Sequence, residues 1–205
     1  MPSMGWRTPM RLNDSLRAEL RQEVKAERFD ITPEGIYFPR NGINVNGEYF
    51  ARVNGGGWEK EGDNLVVNEG LVHVLNVALG STAKPAGYFL ALFSGSTTPV
   101  ANWTAASFAA VANEIVSQTE GYTGATRPAW TPATATTGSI DNLASAAKMT
   151  IATSGTLNVT GAALLTSSQR GGTTGVLVSA SAFAAPRVFQ AGDLYELGYR
   201  LNATV

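Results

Sequence analysis

By type and spacing, the residues best suited to chemistry are His73, the single histidine of the chain, and the alternating acids Glu59, Glu61 and Asp63. A catalytic histidine needs a nucleophile on one side and an orienting carboxylate on the other. His73 stands between Val72 and Val74 with no such constellation in reach of its sequence, so it reads as a structural residue. Glu59, Glu61 and Asp63 would share one face of an extended strand, as a cation site or a glycosidase-like acid pair requires. Lys60 interleaves them and no second acidic cluster exists, so a solvated turn is the expectation. The Gly-rich stretches Gly55–Gly57 and Gln169–Gly175 lack the spacing of a phosphate cradle and read as tight turns. Ser94-Gly95-Ser96 lacks the nucleophile-elbow pattern. The absence of cysteine excludes disulfides, thiolate metal sites and a cysteine nucleophile. The expectation is a non-enzyme with no catalytic set, no bound metal and no cofactor.

The aromatic residues admit two readings. Trp58, Trp103 and Trp130, with Tyr122 and Arg127, either pack in core and loops or form an exposed contact for a glycan or a protein. Trp130 sits between Pro128 and Pro132 in a long connection and is the least suited to a pure core role. Tyr122, Arg127 and Trp130 are therefore the expected exposed-contact set.

Composition narrows the class of partner. Of the 205 residues only 15% are charged and 44% are apolar, with 22 glycines, a balance that suits short strands joined by tight turns. A net charge of −1 argues against a nucleic-acid binder that works by neutralising phosphates. The longest apolar run, Leu71–Leu79, is far short of a bilayer span and contains His73 and Asn76, so no membrane partner is expected. Nothing near Met1–Met10 resembles a secretory signal, and synthesis in the cytoplasm is expected.

Three regions should position these residues. The first 70 residues hold 20 of the 31 charged side chains. Within them, Met10–Phe29 reads as a helix whose narrow apolar stripe is Leu16, Leu20 and Val24. Arg17, Arg21 and Lys25 lie along one flank and Glu19, Glu23 and Glu27 along the other, as on a pairing surface. Residues 1–29 are thus an expected helical arm for a partner or a second copy. Residues 30–67 read as a small β-meander, with Asn41-Gly42 and Asn46-Gly47 as hairpin signals and Asn54 leading into Gly55–Gly57. Residues 68–205 read as a body opened by one internal helix, Glu69–Leu79, with Leu71, Val72, Leu75, Ala78 and Leu79 as its buried face. After it, Gly87–Ser94 is apolar on both faces, as in a central strand. Trp103–Ala110 suits a short helix and Glu114–Gln118 an edge strand. Lys148–Ala152, Leu157–Leu165, Gly175–Phe183, Arg187–Gln190 and Tyr195–Ala203 follow as strands. The fold class expected is mainly β: an antiparallel β-sandwich, jelly-roll-like body with an N-terminal helical arm.

The order of segments carries a resemblance. Asn64–Leu79 leads into Gly87–Ser94. A Y-x-x-A-T-R-P-A-W segment at Tyr122–Trp130 and a Q-R-G-G-T-T-G turn at Gln169–Gly175 follow. This succession, over residues 30–205, resembles a family of small virion proteins of tailed double-stranded DNA phages. The resemblance implies a structural virion part of the capsid decoration, or cement, kind. Its implied partners are the major capsid protein and copies of itself as a dimer or trimer, on the capsid surface after assembly in the host bacterial cytoplasm. It brings no catalytic residues. The other readings are a tail or fibre-associated virion protein, a carbohydrate-binding adhesin using Trp103, Tyr122 or Trp130, and a hydrolase using Glu59, Glu61 or Asp63.

Overall fold

The computed structural model describes residues 29–31, 37–39 and 43–204. The chain divides into two units, residues 1–43 with 205, and residues 44–204. In the first, strands β1 (Phe29–Ile31) and β2 (Tyr37–Pro39) pair antiparallel, with Asp30 opposite Phe38. Phe29, read as the last residue of the arm helix, instead opens a strand. The rest of that helix, including Leu16, Leu20, Val24 and their charged flanks, lies outside the described residues.

The second unit is mainly β. Its strands are β3 (Asn44–Val53), β4 (Glu59–Val66), β5 (Tyr88–Phe93), β6 (Gly121–Tyr122), β7 (Ala129–Trp130), β8 (Ser139–Asp141), β9 (Ala147–Ala152), β10 (Leu157–Leu165), β11 (Leu177–Phe189) and β12 (Leu194–Thr204). Two α-helices interrupt them, α1 (Asn68–Ala78) and α2 (Ala105–Val111). The strands form one antiparallel path in the order β6-β9-β12-β3-β4-β11-β10-β5-β7, with β8 also on β12.

The path is curled. Strand β4 turns the corner: its residues 59, 60 and 62–64 pair with β3, while Leu65 and Val66 pair with Ala180 and Ser179 of β11. Across the curl, Tyr49 on β3 shares a 3.0 Å hydrogen bond with Ser179 on β11. Trp130, on the last strand of the path, donates its indole N–H to the carbonyl of Tyr199 on β12 at 2.9 Å. The concave side holds the main core, which includes Tyr49, Leu90, Leu92, Met149, Ile151, Val159, Leu164, Phe189, Tyr195, Leu197 and Tyr199. On the other side of β5, β10 and β11 a second core gathers Ala91, Phe93, Ala163, Leu165 and Leu177 under Trp103, Phe108 and Ala112. β5 is thus buried on both faces as its composition implies, yet it lies second from the end of the path, because α2 supplies the cover that a further sheet would.

Two expected boundaries move for local reasons. Asn46-Gly47 is not a turn; β3 runs through it, and Gly47 pairs with Leu201. A side chain at Gly47 would collide with the phenol of Tyr199, so glycine is needed there for space, not for a turn. The reversal falls at Asn54-Gly55, both in the left-handed region at φ 51° and 73°. The expected strands Gly175–Phe183 and Arg187–Gln190 are one, β11, interrupted where four residues bulge between Ala182 and Arg187, a bulge that accommodates Pro186. Glu114–Gln118 forms no strand; only Glu114 bridges to Phe93.

Candidate functional site

The two most distinctive sequence segments meet at one buried junction. Helix α2 starts at a capping box, in which Thr104 accepts from the Ser107 backbone and Ser107 accepts from the Thr104 backbone. It ends before Asn113, whose φ of 54° reverses the chain and sends Glu114 inward. There Arg127 grips the Glu114 carboxylate through Nε and Nη2, each at 2.7 Å. The same guanidinium donates to the carbonyl of Ser167 at 2.9 Å, and Gly171 N–H donates to Glu114 at 3.0 Å. Arg170 then spreads its two amino groups over four carbonyls, those of Tyr122, Gly124, Ile115 and Ser117, and stacks 3.7 Å above the Tyr122 ring. Burial pushes the Tyr122 phenol up to about 12. Arg127 thus divides its donors between the Glu114 carboxylate and loop backbone, while both amino groups of Arg170 hold loop backbone, the role for which a planar fork of donors is suited. The junction ties residues 114–127 to residues 167–172 and leaves the Glu114 carboxylate fully engaged.

Tyr122, Arg127 and Trp130 are therefore not an exposed contact set; they are 1%, 1% and 8% exposed. Trp130 packs edge-on against Tyr88 and Tyr199 and ties β7, the last strand of the path, to β12. Trp103 lies in the second core. The flanking prolines do not expel Trp130, because β7 is only two residues long and contributes little except that indole. An adhesin platform built on Trp103, Tyr122 or Trp130 loses its exposed rings.

The acids also depart from expectation. Glu59, Glu61 and Asp63 lie in β4, not in a solvated turn. A register shift opposite Tyr49 and Phe50 makes Glu61 the extra residue, so the three do not share a face. Glu61 is buried and accepts from Arg187 Nε at 3.0 Å, while Glu59 holds the outer amino group of Arg187. Burial raises the Glu61 carboxyl above its ordinary value, with Arg187 opposing the shift. Asp63 pairs instead with Lys60, at 2.7 Å. Among the described residues no group of three or more acidic or histidine side chains is close enough to hold a metal ion.

Helix α1 is seated unexpectedly. Leu71, Val72, Leu75 and Leu79, expected in its buried face, are exposed, Leu79 by 85%. The buried positions are Gly70 and His73. Any side chain at Gly70 would strike the Val178 backbone, so the helix approaches β11 closely at that point and its leucine stripe is turned outward. Glu69 fixes the helix start by accepting the backbone N–H of Ala105 and of Leu177, each at 2.8 Å. His73 Nε2 lies 3.0 Å from the Tyr88 hydroxyl, and burial lowers the imidazole below its ordinary value. Beyond His73 the helix and sheet part, leaving an apolar cavity of about 580 Å³ beside Tyr88, Trp130 and Leu201.

Sequence reasoning places Glu69 at the start of the helix, Glu114 at the start of an edge strand and Arg170 inside the Gln169–Gly175 turn, and it assigns a buried partner to none of them. Comparison with protein-family models found none that matches this chain, and comparison with curated proteins found no relative.

Proposed function

We propose that this protein is a non-enzymatic structural component of a tailed-phage virion, specifically a capsid decoration protein that binds between major capsid protein subunits. The observation that carries the reading is the outward apolar stripe formed by Leu71, Val72 and Leu75 of α1 with Leu79 at its C-terminal cap. A helix apolar nearly all round is normally covered, and an exposed contiguous apolar patch marks a contact surface. Helix α1 presents such a patch on a body whose distinctive residues, Arg127 and Arg170, serve to hold loops. The order of segments in the sequence supports the same reading. A stable interface buries roughly 800 Å² per partner, and repetition over a shell turns weaker contacts into firm attachment.

The finer architecture belongs to this proposal. The body is read as a jelly-roll-like sandwich in which β4 is the corner strand shared by two facing groups of strands. The segment 10–29, with Leu16, Leu20 and Val24 between opposed charges, is proposed as the arm that engages a neighbouring subunit.

The test is particle binding. Leu75→Lys with Leu79→Lys should abolish decoration of shells lacking the protein, while the folded content by circular dichroism stays unchanged. Full decoration by the double variant would refute the use of α1. Copy number in purified virions separates the second reading: parity with the major shell protein supports decoration, and a few copies per particle supports a tail or fibre part.

A further inference from the structure

We infer that the cavity beside α1 binds a slender apolar chain ending in an anionic group, of the medium-chain fatty-acid type. The cavity lies where the curled sheet fails to close, between β5 and β7 on one side and β8 and β12 on the other. Its volume, about 580 Å³, is within the range of small-molecule sites, and barrel mouths are a usual place for them. Leu164 and Val178, both core residues, line it together with Val74 and Val77 of α1 and with Ile140 and Leu201.

Two polar side-chain groups of the walls are already engaged. The Trp130 indole N–H is held by the Tyr199 carbonyl, and the Tyr88 hydroxyl is held by His73. A sugar or nucleotide would bring many donors and acceptors into a space that offers few partners, and each unpaired group costs binding energy. An alkyl chain carries no such cost. The one charged side chain along the lining is Lys84, exposed at the rim and without an ion pair among the described residues. It sets the sign of the head group at the mouth, while the chain occupies the interior. The inference goes beyond the structural role proposed above and stands apart from it, since it concerns the inward side of α1 and not its outward stripe.

The experiment is calorimetric titration of the full chain with hexanoate, octanoate and decanoate below their micellar concentrations, with circular dichroism to verify the fold. Saturable one-site binding should strengthen about fourfold per added methylene. Lys84→Gln should weaken decanoate by about two- to fivefold, the worth of an exposed ion pair, and leave decanol unchanged. Ala78→Trp, at the cavity wall on α1, should abolish binding while the protein stays folded. Should that variant unfold, Ala86→Trp at the rim replaces it. Absence of saturable binding, equal affinity across the series, or unchanged binding by a folded tryptophan variant overturns the inference. Decanol binding as tightly as decanoate overturns its anionic half. Retention on anionic phospholipid vesicles without binding of free decanoate overturns it in favour of a membrane surface.

Discussion

Glu114 and Arg127 meet through two hydrogen bonds of 2.7 Å, and neither side chain reaches solvent. Removing one partner of such a pair leaves a buried charge uncompensated, at a cost of about 3–5 kcal/mol. Arg127→Met should lose that much in urea denaturation. The double change Glu114→Gln with Arg127→Met should lose less than the two single losses together, because no charge is stranded. Strict additivity would show that the pair does not act as a unit.

Gly70 sets two physical effects against each other. Alanine is the better helix former by up to about 1 kcal/mol, so Gly70→Ala would stabilise an isolated helix. In the fold the added carbon would press on the Val178 backbone, and overpacking costs about 1–3 kcal/mol. The clash should prevail, giving a lower denaturation midpoint. A more stable Gly70→Ala protein would mean that α1 is not seated by this contact.

Leu197 and Leu75 are both leucines expected inside. Leu197 is fully buried and Leu75 is 59% exposed. Leu197→Ala should cost about 2–5 kcal/mol, and Leu75→Ala no more than about 0.5 kcal/mol. Similar losses at the two positions would contradict the outward orientation of the α1 stripe.

His73 should make the fold acid-sensitive. Its imidazole is lowered in the folded state, chiefly by burial and against the pull of Glu69. The folded protein therefore binds this proton less readily than the unfolded chain. The stabilising contribution is present above the unfolded value of about 6.5 and is lost as pH falls through the lower folded value. Urea midpoints at pH 7.5 and pH 5 should fall further in the wild type than in His73→Gln. An identical fall in both would assign the acid sensitivity to other groups.

Alternation along β9, β10 and β12 was legible because period-two patterns follow directly from strand geometry. Met149, Ile151, Val159, Tyr195, Leu197 and Tyr199 all point to the core as their spacing implies. The short helix α2 and the reversal after Val53 were legible too, from local propensity and from the tolerance of Asn54 and Gly55 for positive φ. These depend on neighbours in sequence. What the sequence could not express is which long-range contact takes precedence. The α1 pattern marks an apolar stripe, but a single close approach of Gly70 to Val178 decides that the stripe faces outward. Asn46-Gly47 carries a turn signal, but the Tyr199 ring, about 150 residues away, claims the space over Gly47 and keeps the strand straight. Arg127 and Trp130 look like surface residues until Glu114 and the Tyr199 carbonyl supply their partners. Sequence alone determined the β-rich class and most strand faces, since periodicity is local. Tertiary structure decided burial, pairing and the exposed helix face, since each depends on a partner far along the chain.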